Sequence, residues 1–299
     1  LEQAVSEDAL WPRASNWLQN AGPEASDLGL FGVPAFETSL SATAANTTPN
    51  EIRDSLTRYS TYSWSNQTDL STLVFSDFGD SEDPDSEAGE QRTMDLAAKV
   101  ASSSKLAIAL GGDNSITYAV MRGVFGESLS SSALVTFDAH HDLRDGISNG
   151  SPVRRLIEAG LPGNQVVQIG IADFSNSPVY AQRAKDLGIH VIPRSELRNR
   201  TPEDIWQEVV SIIGDRPTHV DFDMDVCDRS VVPGCPAAAP GGISADEIRQ
   251  FAFLVGKTRN VKSFDIAEID AMADSADGRT IRLAALTILE AAAGFKLRV

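Results

Sequence analysis

The chain has 299 residues, 42% hydrophobic and 22% charged, with a formal net charge of −17. That size allows one large α/β domain or two smaller ones, and no run of about twenty apolar residues suggests a membrane-crossing helix. The acidic balance disfavours nucleic acid and anionic membranes as partners. It does not exclude an anionic small molecule, because bound divalent ions and a local arginine can reverse the sign inside one pocket.

Only Cys227 and Cys235 are present, too few for a disulfide framework, and their spacing matches no zinc motif; both read as reduced structural residues. The start, Leu1–Asp8, lacks the charged-then-apolar order of a secretory signal, which favours a soluble cytoplasmic protein.

Residues 1–26 read as a polar, partly helical arm with Trp11 and Trp17 as apolar anchors, and 27–299 as a single domain. Leu28–Val33 is the first clear strand, stopped by Pro34. A polar loop over 39–50, placed to contribute to a pocket mouth, leads into a helix with Ile52, Leu56 and Tyr59 on one face. Leu73–Phe75 reads as a short strand running into a solvated acidic loop over 76–90. A helix near 92–102 precedes Lys105–Leu110, a continuous apolar run typical of a strand buried on both faces, which ends at Gly111-Gly112-Asp113-Asn114-Ser115.

The next strand, Val135–Phe137, gives way to Asp138-Ala139-His140-His141-Asp142. Period two would put Asp138, His140 and Asp142 on one side. Buried carboxylates cost desolvation, so a shared cation explains them better than an empty polar turn. Further along, 146–151 is a loop and 152–159 a helix. Strands at 165–170 and 189–192 flank a helix at 179–187. The helix 202–213 carries Trp206, Val209, Val210 and Ile213 on one side. After a strand at 218–223 come a helix starting near Ser244, a strand at 261–266 and a final helix at 280–293. This alternation predicts one mostly parallel sheet covered on both faces by helices, a three-layer α/β/α fold.

The strand at 218–223 ends in a second acidic cluster, Asp221, Asp223 and Asp225. Three such charges repel unless some are protonated or cations hold them. With the first cluster they form a mostly oxygen-donor set suited to Mn²⁺ or Mg²⁺ rather than zinc.

These motifs resemble the ureohydrolase family of arginase, agmatinase and formimidoylglutamase over nearly the whole chain. Gly111–Ser115 stands at the family's GGDHS, Asp138–Asp142 at its DAHxD, Asp223–Asp228 at its DxDxxD, and Ser263–Glu268 at its later strand with a substrate-facing glutamate. The resemblance implies the arginase-like fold, trimers or hexamers, and two manganese ions. By the same resemblance Asp138 and Asp223 bridge the ions, His140 and Asp225 complete one site, and Asp142 with Asn114 the other. Asn114 replaces the usual histidine, so its ion is expected to bind more weakly. Asn149 replaces a histidine found beside the substrate in arginase and agmatinase, which makes those activities less expected. Asp142-Leu143-Arg144, Gln168–Ile171 and Pro233–Pro236 with Gly241-Gly242 are most similar to the formimidoylglutamase subgroup of histidine degradation.

The implied reaction is hydrolysis of N-formimidoyl-L-glutamate to L-glutamate and formamide. Asp142 would carry a proton to the departing nitrogen, and Glu268 would hold the cationic amidinium. Arg144 is the first choice for the substrate carboxylates, with Arg154 and Arg155 behind it. His141 is expected to support a ligand, and His190 and His219 to be structural. The alternatives are an agmatinase-like enzyme releasing urea and a non-catalytic metal-binding relative.

Overall fold

The computed structural model describes residues 8–22 and 25–298. The acidic start over 1–7 lies outside the described residues. Nine parallel strands form one sheet: β1 (Leu18–Asn20), β2 (Ser26–Val33), β3 (Phe75–Asp80), β4 (Ser104–Gly111), β5 (Ala133–Phe137), β6 (Val166–Ile171), β7 (His190–Pro193), β8 (Thr218–Asp223) and β9 (Val261–Ala267). Their order is β1-β3-β2-β4-β9-β8-β5-β6-β7. The chain leaves β4 for β5 across two positions that β9 and β8 fill later. The carboxyl ends of these four central strands therefore open on one crevice, where open α/β sheets bind ligands.

Alternation along the strands explains the two helical layers. Leu28, Leu30, Ile108, Phe137, Phe222 and Phe264 face one side and pack with α1 (Thr48–Ser55), α6 (Pro202–Ile213), α7 (Ala245–Lys257) and α8 (Arg279–Lys296). Phe31, Val33, Ala107 and Leu134 face the other, beneath α2 (Glu87–Ser103), α3 (Ile116–Phe125), α4 (Pro152–Glu158) and α5 (Pro178–Asp186). Thr201 and Ser244 close capping boxes at the starts of α6 and α7, satisfying helix-end donors that would otherwise lack partners. No helix among the described residues is long and apolar enough to cross a membrane.

Several expectations change. Part of the amino-terminal arm is edge strand β1, paired with β3 and fastened by Trp17, whose indole donates to the Leu73 carbonyl at 2.8 Å; Trp11 stays exposed. The acidic stretch after Phe75 continues as strand to Asp80 because Arg53 pairs with Asp77 at 2.7 Å and Asp80 at 2.8 Å. Those partners convert an apparently solvated run into a strand that lies one position in from the sheet edge, between β1 and β2. Val210 is 38% exposed rather than part of the buried face of α6, and His190 is exposed on β7.

Candidate metal centre and substrate pocket

Register brings the acidic residues together. Phe137 on β5 pairs with Phe222 on β8, so Asp138 and Asp223 follow side by side. Asp223 in turn pairs with Ala267 on β9, which places Glu268 one residue beyond, and the Glu268 amide donates to the Gly112 carbonyl at 2.9 Å. Gly112 is also pressed against the segment after β2: a Cβ there would lie 2.0 Å from the Ala35 carbonyl oxygen.

The convergence does not come from strand alternation. β5 ends at Phe137, and Asp138, His140 and Asp142 lie on the irregular segment after it. Asp142 and Glu268 both adopt left-handed backbone, with φ of 53° and 63°. For non-glycine residues this conformation costs roughly 1–3 kcal/mol and is retained where the surroundings enforce it, commonly at functional sites.

Two overlapping groups of donors result. Asp138, His140 and Asp225 form one and Asp138, Asp142 and Asp223 the other, with the donor atoms of each within 4.8 Å of one another. Asp138 is common to both; Asp223 belongs to the second. The four carboxylates are buried. Asp138 Oδ1 accepts from the His140 amide at 2.6 Å, while Oδ2 is buried with no hydrogen-bond partner among the described residues. An orphaned carboxylate oxygen inside a ring of further carboxylates is the arrangement a divalent cation satisfies.

The electrostatics agree. Burial, then Asp225, pushes Asp138 up to about 6; burial, then other carboxylates, raises Asp142 and Asp223 well above the ordinary range. Burial would raise Asp225 too, but His140, with Nδ1 2.7 Å from its Oδ2, reverses this and holds it low. Burial opposes a charge on His140, yet Asp225 and Asp138 push it up to about 12. In the metal-free protein a proton on His140 therefore does part of a cation's work.

Asp221 departs from the expected cluster. It lies within β8, register partner of Asp265, and joins neither donor group. Both its oxygens lack partners among the described residues, while Asp265 meets His219 at 3.1 Å and His219 meets Ser263 at 2.7 Å. This fully buried layer supports the centre from below, and His219 has the structural role expected of it.

A cavity of about 390 Å³ opens over the centre, lined by His140, Asp142, Asp223, Asp225 and Glu268 and, toward its mouth, by Arg144, Asn149, Leu40 and Ser41. The loop over 39–50 thus reaches the pocket as expected. A depression of similar volume, about 400 Å³, beside α1 and the start of α8 has no comparable convergence of donors. Burial, ahead of any other cause, pushes Glu268 up to about 7. Its carboxylate accepts from the Asn114 amide at 3.0 Å and from Asn149 Nδ2 at 3.0 and 3.1 Å.

Asn114 reaches the centre through Asp142. Its Nδ2 donates to Asp142 Oδ2 at 2.6 Å, and its Oδ1 accepts from Thr117 at 3.0 Å. Arg144 lines the pocket, and its guanidinium makes no hydrogen bond or ion pair among the described residues, although its backbone amide donates to the Gly150 carbonyl at 3.0 Å. Arg154 does not line it: its guanidinium is engaged by the carbonyls of Arg144 and Gly146 and by Glu158, so it braces the loop. Arg155 is likewise turned away, paired with Glu90 at 2.8 Å and lying over the Tyr118 ring. His141 is buried against Gln168 at 2.7 Å, which suits support rather than ligation. Cys227 and Cys235 are free and buried.

Asn176 and Tyr180, also in the wall, carried no sequence signal beyond following a strand end. Asn176 accepts from the His141 amide at 2.9 Å and donates to the Ala139 carbonyl at 2.9 Å, fixing the segment that bears the ligands.

The arginase family model matches residues 26–294. A formimidoylglutamase of Halalkalibacterium halodurans is 36% identical over 279 residues, covering 90% of this chain and 87% of that one. The structure of formimidoylglutamase from Bacillus subtilis superposes with a TM-score of 0.92 at 29% identity, over 100% of this chain and 96% of that chain. Formiminoglutamase of Trypanosoma cruzi, crystallised with Mn²⁺, superposes with a TM-score of 0.89 at 24% identity, over 97% of this chain and 100% of that one.

Proposed function

Since this chain belongs to the arginase family, we propose that it is a manganese-dependent hydrolase of a linear amidine C–N bond, converting N-formimidoyl-L-glutamate and water to L-glutamate and formamide. The observation that carries this reading is the pair of donor groups sharing Asp138, set beside Glu268 at the floor of one cavity. Similarity to formimidoylglutamases over nine-tenths of the chain supports the substrate.

Asp138, His140, Asp223 and Asp225 would hold one manganese ion, and Asp138, Asp142 and Asp223 the other. Asn114 can add a ligand only with its amide turned over, so that Oδ1 leaves Thr117 for the ion and Nδ2 takes its place. When bound, such ions make water a nucleophile at neutral pH and stabilise developing negative charge.

The protein's own groups do the rest. Glu268, desolvated beside the donor groups, would orient the cationic end by charge-assisted hydrogen bonds, the cation favouring its ionised form. Arg144, in the pocket wall with a guanidinium that has no partner among the described residues, would take a substrate carboxylate; it lies over Gly150, where a Cβ would lie 2.7 Å from Arg144 Cδ. Water adds to the formimidoyl carbon, and the bond from that carbon to the glutamate nitrogen breaks. Asp142, which belongs to one donor group and lines the cavity, would take the proton that the attacking water loses and pass it to the departing nitrogen.

Assay with excess Mn²⁺ against N-formimidoyl-L-glutamate, agmatine, arginine and guanidino acids tests this. Formamide from the first substrate is expected. Turnover of a guanidine alone, with urea as product, would replace the assignment with an agmatinase-like one.

A further inference from the structure

Asn149 ties together three parts of the pocket that are far apart in sequence. Its Oδ1 accepts from the Leu40 amide at 3.0 Å, its own amide donates to the Thr38 carbonyl at 3.3 Å, and its Nδ2 faces both oxygens of Glu268 at 3.0 and 3.1 Å. The Leu40 contact fixes which way the side-chain amide points, because only the oxygen can accept that hydrogen. The nitrogen must then face Glu268.

From this geometry, and resting on the amidine-hydrolase reading above, we infer that Asn149 makes the site prefer a formimidoyl end to a guanidino end. A carboxylate offers about four lone-pair positions. On Glu268, Oε2 already accepts from the Asn114 amide and from Asn149, and Oε1 accepts from Asn149. What remains suits one further N–H group. A formimidoyl end presents one NH₂ with a C–H beside it, and the C–H asks for no acceptor. A guanidino end presents a second NH₂ in place of that C–H, and here it meets the Asn149 donor instead of a free oxygen. Leaving a buried donor unpaired lowers relative binding by about tenfold to a hundredfold. The discrimination is thus made by a group that excludes the wrong ligand, as well as by one that binds the right one.

The test uses the Mn²⁺-loaded full chain and the matched pair N-formimidoyl-L-glutamate and N-amidino-L-glutamate, which differ only in that C–H against NH₂. The kcat/KM values are compared in the present protein, in Asn149→Ser and in Asn149→Asp. The aspartate keeps an acceptor for Leu40, and so the loop tether, but removes the donor. Thermal-shift titrations with N-methylformamidinium and methylguanidinium give the same comparison without turnover, so a failure of the proposed reaction is seen separately from a failure of this inference. The preference for the formimidoyl member is expected to shrink tenfold or more in both variants. An unchanged preference in variants that keep the parent's circular dichroism overturns the inference. So does an equal loss for both ligands, which is what loop tethering alone would give.

Discussion

Phe137 and Phe222 are register partners on adjacent strands, their rings 5.0 Å apart and 5° from parallel, and the residue after each is an aspartate of the proposed metal centre. Phe251 of α7 packs on Phe137 at 4.8 Å from below. The spacing of Asp138 and Asp223 is thereby set by the apolar core. Phe137→Ala is expected to lower stability by about 3–5 kcal/mol and to weaken Mn²⁺ binding as the strand ends loosen. Urea unfolding and metal titration check the two effects, and unaltered metal affinity would show that the strand ends hold their spacing without the ring.

Asp138→Asn and Asp223→Asn should each abolish turnover and reduce bound manganese, since an amide offers one neutral oxygen where a carboxylate offers two charged ones. Metal analysis of the purified variants beside the rate measurement separates lost metal from lost chemistry. A near-normal rate in either would remove that residue from its proposed role.

The metal-free protein should lose stability as pH rises. Burial pushes Asp138 up to about 6 and Glu268 up to about 7, from ordinary values of 3.8 and 4.5. The folded state therefore holds extra protons between about pH 4 and 7, and the stability linked to them disappears across that window. His140, pushed up to about 12 against its burial by Asp225 and Asp138, acts in the same direction above its ordinary 6.5: its contribution is complete below that value and is lost on the way to 12. Asp225, held low, contributes oppositely, losing stability only as pH falls below the ordinary carboxylate range. Bound Mn²⁺ displaces the protons, so its affinity should increase with pH. Urea midpoints with chelator are expected to fall from about pH 5 to about pH 7.5, less steeply in Glu268→Gln, and the fall should vanish with saturating Mn²⁺. A midpoint that rises with pH in chelator would contradict this.

Asn114→His is expected to tighten the ion shared by Asp138, Asp142 and Asp223, because manganese accepts imidazole alongside carboxylates. In the present chain the Asn114 amide bonds Asp142 at 2.6 Å and Thr117 at 3.0 Å, so this ion should be the weaker of the two. Calorimetric titration of both proteins decides: two equal sites, unaltered by the histidine, would place Asn114 outside the metal shell.

Much of this arrangement was legible from residue order. Strand alternation with helices, glycines at Gly111-Gly112 and acidic strand ends at Asp138 and Asp223 point to a parallel sheet with a cation site at its carboxyl edge. Less legible was what depends on partners distant in sequence. Arg53 turns the acidic run after Phe75 into strand, and the Gly146 carbonyl and Glu158 withdraw Arg154 from the pocket. Asn176 showed no sign in the sequence because its role lies in two backbone hydrogen bonds across the pocket wall. Period two failed at Asp142 because the strand had already ended and a left-handed turn, rather than a pleat, aims that carboxylate.

The most direct measurement is product analysis by NMR on N-formimidoyl-L-glutamate, with protein that has been chelated, dialysed and then either left metal-free or reloaded with Mn²⁺. Formamide and glutamate in equal amounts from the reloaded protein, and none from the metal-free protein, are expected. Undiminished turnover without metal, or no formamide at saturating Mn²⁺, would contradict the account.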